Sequence, residues 1–236
     1  MNGENSIVVE NLLNGNCQAA KPNEKWVTDI TYLPFGTEML YLSSIMDLYN
    51  NEIIAYEINN RQDVTLVLKT VEKAIKSQKK AEIILHSNQG AVYTSNAFQT
   101  LSKKNGITTS MSRKGNCHDN AVIEFFHSSL KSELFYAQEK QLHSTSTLKQ
   151  LIHDYNEYYN TERIQEKLNY LFLVSYRIQE TGSIGVFFMY HYSGSLQVLS
   201  KIFLHLFNLL QQNGRKSHLK LTFPNLSLTA IGPAHI

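Results

Sequence analysis

Two carboxylates stand where their surroundings do not ask for charge. Asp29 interrupts WVTDITY, a run otherwise built from Trp, Val, Ile and Tyr, and Glu124 falls in the first turns of the helical stretch DNAVIEFFHSSLK. Carboxylate oxygens are the preferred ligands of hard cations. Singly, each residue has a plainer reading. Asp29 can sit on the solvent face of an edge strand, and Glu124 can be an ordinary exposed helix glutamate. A third position, Asn88 in LHSNQG, is separated from Glu124 by 35 residues and offers a carbonyl oxygen without charge. Basic residues flank this set. Arg113 and Lys114 lie in SRKGNC, and Lys131 follows Glu124 by seven residues, which returns it to the same helical face. For each cation the plain alternative is a solvated surface charge.

The elements that must position these residues follow from periodicity. WVTDITYLPF, MLYLSSIMDL and NEIIAYEINN are rich in β-branched and aromatic residues and are separated by Gly36-Thr37 and Tyr49-Asn50-Asn51. They predict an antiparallel meander. Asp63 is set to cap a helix in which Val64, Leu68, Val71 and Ile75 recur at helical spacing up to Ser77. AEIILH (81–86) reads as a short buried strand, HSNQGAVYTS as a loop, and residues 95–105 as a helix closed by Asn105-Gly106. ITTSMS is a further strand and SRKGNCHD a basic loop. Asp119 is expected to cap a helix over 120–136, and another helix spans 146–160 before the polar NTERIQEKL. The order βββ-α-β-α-β-α-α implies an α/β fold, a mixed sheet flanked by helices. It places Asp29 on the first strand, Asn88 after the fourth and Glu124 on the helix after the fifth.

Taken together, these blocks resemble the catalytic core of the retroviral-integrase superfamily, specifically insertion-sequence transposases with a D,D(35)E triad. The resembling stretches are WVTDITYL, YLSSIMDLYNNEIIAY, LHSNQGAVYTS, SMSRKGNCHDNAVIEFFHSSLKSEL and YNTERIQEKLNY, over about residues 22–177. The resemblance implies a ribonuclease-H-like five-stranded mixed sheet, two Mg²⁺ (or Mn²⁺) ions, and DNA strand cleavage and joining. Asp29, Asn88 and Glu124 fall at the catalytic, metal-holding positions. Arg113, Lys114, Lys131 and Arg163 are expected to meet DNA, meaning transposon ends and target, with a homo-oligomer assembling on it. Two hard cations roughly 3.5–4 Å apart activate the attacking oxygen and stabilise the leaving one, so the protein needs no nucleophile of its own. His86 and His118 read as loop hydrogen-bonders and Cys117 as incidental. A ribonuclease acting on RNA–DNA hybrids shares the fold and metals, but the spacing and the SRKGNC…DN block favour a transposase.

The chain also departs from the family pattern. The family has HSDQG where this chain has HSNQG, so the second acidic position is Asn88. Losing one anionic ligand weakens attraction for Mg²⁺, which dehydrates reluctantly, and members of a catalytic unit fail together. The expectation is an impaired enzyme; the alternative is a non-catalytic nucleic-acid-binding remnant that interferes with or joins intact transposase assemblies. Where the family reads LSPVQYR this chain reads LFLVSYR, placing Leu173 at the proline position and removing a tight stop. The family's helix-turn-helix region is expected to be missing from the roughly 22 residues before the core, leaving transposon-end recognition weak.

Composition sets the outer bounds. A chain of 236 residues with 42% hydrophobic, 11% aromatic and 18% charged residues suits one domain with an appendage and excludes wholesale disorder. Cys17 and Cys117 form no CxxC spacing, which speaks against a disulfide framework or structural zinc. The N-terminus lacks the basic and apolar regions of a signal peptide, and no stretch reaches the roughly 18 apolar residues of a membrane helix. A soluble, cytoplasmic protein without membrane contact is expected. Residues 184–236 carry Lys201, Arg215, Lys216 and Lys220 but none of the chain's 20 Asp and Glu residues. The expected organisation is a leader or linker over 1–22, the integrase-type core over 23–179, and an unrecognised basic apolar tail over 180–236. Within that tail Leu196, Leu199, Phe203, Leu206 and Leu210 predict an amphipathic helix, and FPNLSLTAIGPAHI is expected to be irregular.

Overall fold

The computed structural model describes residues 6–35, 38–78, 82–113, 120–135, 144–181, 218–223 and 226–231. The chain divides into two units, Met1–Gly182 and Ser183–Ile236. The first is built on strands β1 (Lys25–Phe35), β2 (Glu38–Asp47), β3 (Glu52–Asn59), β4 (Ile83–Ser87) and β5 (Ile107–Met111). They form one sheet in the order β3-β2-β1-β4-β5. The meander pairs antiparallel, while β4 joins β1 and β5 joins β4 in parallel, giving the mixed sheet expected from the element order.

Helices cover both faces. On one lie α1 (Val64–Ser77) and α2 (Asn96–Lys104), whose Val67, Val71, Ala74 and Phe98 pack on Trp26, Ile45 and Leu85. On the other lie α3 (Ala121–Leu130), α4 (Thr145–Thr161) and α5 (Leu173–Thr181). Their Ile123, Phe126, Leu130, Leu148, Ile152 and Leu173 close over Val27, Leu33 and Leu42. Residues alternating along β1 therefore serve opposite cores, which is how a strand buried on both faces must read. Local chemistry fixes the ends: the Asp63 carboxylate accepts from the Leu66 amide at 3.0 Å, and Gly106 takes φ +73° after α2.

The helix expected over 120–136 is α only to Leu130 and continues as a π turn, Lys131–Phe135. Asp119 lies outside the described residues, and Asn120 at the cap position makes no capping bond. The polar segment after α4 forms two short strands, β6 (Ile164–Gln165) and β7 (Leu171–Phe172). Left-handed Asn169 (φ 56°) and Tyr170 (φ 61°) turn the chain between them, so the entry into α5 is made without proline. Leu173, its first residue, is fully buried. Arg177 on α5 ties down this end: its guanidinium meets Asp47 and Glu52, and Asn50 donates to the Leu173 carbonyl at 2.7 Å.

Residues read as leader or linker lie along β5. Met111 donates to the Glu10 carbonyl, Leu12 to the Ser110 hydroxyl at 2.8 Å, and Leu13 is buried in the core. In the second unit, β8 (His218–Phe223) and β9 (Leu226–Ile231) pair antiparallel. This corrects the expectation of an irregular end over Leu226–Ile231, because HLKLTF and LSLTA alternate apolar and polar residues with a period of two. The helix expected through Leu196–Leu210 lies outside the described residues. Among the described residues, no helix is long and apolar enough to cross a membrane.

Candidate active site

Sheet register alone brings the first two site residues together. β1 and β4 run parallel with Val27 opposite His86, so continuing by two residues sets Asp29 beside Asn88, just past the end of β4. Their side chains touch: the Asn88 amide Nδ2 donates to Asp29 Oδ1 at 3.0 Å. The orientation of this amide is fixed from its other end, where Oδ1 accepts the Gly90 backbone N–H at 2.8 Å. Gly90 leaves room for this bond, since a Cβ at that position would lie 2.8 Å from Asn88 Oδ1 and displace the amide. Asp29, Asn88 and Gly90, with Ile30, Gln62, Ala91, Val92 and Tyr93, line a cleft of about 310 Å³.

Helix α3 packs across β1 and carries Glu124, which is exposed, in its first turn. Partial burial and the neighbouring Asp29 charge push the Glu124 carboxyl above the usual carboxylate range, while His127 pulls it back. Three residues on, His127 is buried against the face of the β1–β2 pair. Asp29 and Ser44 face each other across β1 and β2. The His127 ring reaches both, with Nε2 3.2 Å from Ser44 Oγ and Nδ1 3.7 Å from Asp29 Oδ2. Asp29 is thus held on one oxygen by an amide and faced on the other by an imidazole. Sequence reasoning passed over His127; its signal was a histidine on the apolar face of FFHSSL, one turn past Glu124.

Lys131 lies where the seven-residue spacing sends it. Its ammonium rests over the Tyr32 ring at 4.4 Å, and burial lowers its pKa against the opposing pull of Asp29. Arg113 donates to Asn14 Oδ1 at 3.2 Å, using one of its five N–H groups. Lys114, Cys117 and His118 lie outside the described residues. His86 is a buried strand residue bonded to Ser110 Oγ at 2.8 Å. Arg163 sits beyond α4, where its Nη1 donates to both Glu133 carboxylate oxygens at 2.7 Å.

The donor set offers two carboxylates, Asp29 and Glu124, and one neutral amide, Asn88, which is one anionic ligand short of an acidic triad. Among the described residues no group of three or more His, Cys, Asp or Glu converges on a metal-sized site. The Asn88 oxygen accepts from the Gly90 N–H, and its amide N–H group donates to Asp29 Oδ1, so this side chain adds no negative charge beside Asp29. Two carboxylates 3.0 Å apart would need a proton or a cation between them. Here the amide fills that place.

Comparison with known proteins agrees with this arrangement of strands and helices. A family model described as Integrase core domain matches residues 19–117, and a second of the same description matches residues 105–172. A transposase-like protein of Haemophilus influenzae is 43% identical over 177 residues, covering 75% of this chain and 81% of its own length. This chain belongs to the integrase-core family of insertion-sequence transposases. The transposase-type protein InsK of insertion sequence element IS150 in Escherichia coli is also 43% identical, over 178 residues covering 75% of this chain. The aligned part spans 62% of that relative's length. In three dimensions the chain is similar to the HTLV-2 integrase catalytic core domain in complex with magnesium. The TM-score is 0.53 at 15% identity, covering 63% of this chain and 93% of that one. At such identity the likeness shows the fold, which is ribonuclease-H-like.

Proposed function

We propose that this chain is the DNA strand-cleavage and strand-transfer core of an insertion-sequence transposase, with its chemical step disabled at Asn88. The observation that carries the second half is the Asn88 N–H on Asp29 Oδ1 at 3.0 Å. With Asn in place of Asp the site holds two carboxylates, Asp29 and Glu124, and a neutral amide that donates where an acceptor is needed. Divalent cations are the family's chemistry. This chain's residues hold them weakly, and its rate of strand cleavage falls by orders of magnitude.

DNA binding does not depend on that atom. Lys131 beside the Tyr32 ring and the exposed Arg113 supply phosphate contacts. His127 holds Asp29 in place. The same observation favours a second reading of use: a chain that grips DNA and joins assemblies without cutting blocks intact copies. Doping tests both parts. Unmodified chain is added in increasing proportion to an Asn88→Asp preparation cleaving a duplex that ends in the element's terminal repeat. Binding of the duplex by the unmodified chain at low salt, with turnover falling as it is added, is the expected result. Absence of DNA binding at low salt would overturn the proposal.

A further inference from the structure

We infer that Arg163 is a positioning residue for the helix that carries Glu124, and not a DNA contact; the inference rests on the transposase reading above. Its guanidinium is neutralised. Nη1 reaches both oxygens of Glu133 at 2.7 Å, and the Tyr155 hydroxyl donates to the same carboxylate at 3.1 Å. A phosphate approaching this group would meet a carboxylate already in place. A cation paired this way contributes little to counterion release, which follows the net charge offered to the backbone. The same guanidinium lies over the Tyr159 ring at 5.9 Å.

Both anchors lead to α3. Tyr159 meets Phe126 edge-to-face at 4.7 Å, and Phe126 is fully buried two residues after Glu124. Glu133 stands in the π turn that continues α3, two residues past Lys131. Arg163 therefore grips the helix at two heights, through an aromatic pair near Glu124 and an ion pair beyond Lys131. Rotation of α3 about its axis carries Glu124, His127 and Lys131 together, because all three lie within two turns of one another. A π turn opens the i→i−4 ladder just where such a rotation would start. Clasping Glu133 to α4's end fixes that phase, and with it the approach of Glu124 to Asp29.

The test compares Glu133→Gln, Arg163→Gln and the charge exchange Glu133→Arg with Arg163→Glu, in the full chain. Three readouts are taken: the salt dependence of duplex binding, the His127 imidazole resonances by NMR, and cleavage on the Asn88→Asp background. Positioning predicts that both single variants leave the salt slope unchanged and shift the His127 signals alike. It also predicts that both lower kcat about tenfold at unchanged KM, and that the exchanged pair regains most of it. A phosphate contact predicts the opposite pattern. Arg163→Gln would then flatten the slope by about 0.9 while Glu133→Gln tightens binding. That pattern, or unmoved His127 signals in both variants, overturns the inference. If the Asn88→Asp background cleaves nothing, the strand-cleavage reading fails by itself, and the slope and His127 signals still decide the role of Arg163.

Discussion

Replacing Asn88 by Asp exchanges a hydrogen bond for a repulsion, and its size follows from the distance. The donor nitrogen lies 3.0 Å from Asp29 Oδ1. Two unit charges at that separation repel by on the order of 5 kcal/mol at an effective dielectric constant of about 20. Proton uptake limits the cost. Holding one proton between carboxylates of ordinary pKa about 3.9 costs about 4 kcal/mol at about pH 7, at about 1.4 kcal/mol per pH unit. In a chelator at neutral pH the variant should therefore lose about 3–4 kcal/mol, or roughly 6–16 °C in melting temperature for a domain of this size. The sign with pH follows from that shared proton. The penalty is absent in acid, where the proton is bound in the unfolded chain too, and grows as pH rises to neutral. Magnesium at about a hundredfold excess over its Kd should return about 2.7 kcal/mol to the variant and leave the unmodified chain unmoved. Thermal melts of both proteins, with chelator and with millimolar Mg²⁺ across the acid-to-neutral range, measure all of this. Equal melting of the two proteins in chelator, or equal stabilisation by Mg²⁺, would refute the view that the amide stands in for a cation.

Other perturbations reach the scaffold. Gly90→Ala brings a Cβ to 2.8 Å from Asn88 Oδ1 and should turn that side-chain amide, seen as loss of protection of the backbone N–H at position 90 in hydrogen exchange. Arg177→Met leaves the fully buried Asp47 and the nearly buried Glu52 uncompensated and should cost about 3–5 kcal/mol by urea melts. Leu13→Ala should cost about 2–5 kcal/mol, because the segment along β5 contributes a core residue. Burial raises Tyr159 to about 12 and Tyr93 further still. Both phenols stabilise the fold fully below their unfolded pKa of about 10, and that stability is lost as pH rises above it. Phenolate absorbance should therefore lag behind free tyrosine and then rise together with loss of helical signal.

Elements whose signals are local were readable in the residues. Asp63 announced α1 because a cap needs only its own helix, and the three β-rich runs announced the meander because their turns are short. Asp29 stood out because one charge in an apolar strand is visible without a partner. What depends on apposition was not readable. His127 acquires meaning only when the β1–β2 register sets Ser44 against Asp29. Arg163 looked like a free basic residue because Glu133 lies 30 positions away and comes to it only through the π turn. Residues 7–14 looked like a leader because their bonds to β5, one to a backbone amide and one to the Ser110 hydroxyl, span about a hundred positions, which no local pattern records. Asn88 was legible as a missing charge, but not as a donor to Asp29, since only the Gly90 N–H fixes which way the amide turns.

The central claim, that one amide silences an otherwise intact strand-transfer core, is tested most directly by nicking. The unmodified chain and its Asn88→Asp variant are incubated side by side with a labelled terminal-repeat duplex and Mg²⁺. The account predicts strand cleavage by the variant, with the unmodified chain slower by orders of magnitude although it binds the same duplex. Equal cleavage rates for the two proteins would contradict it.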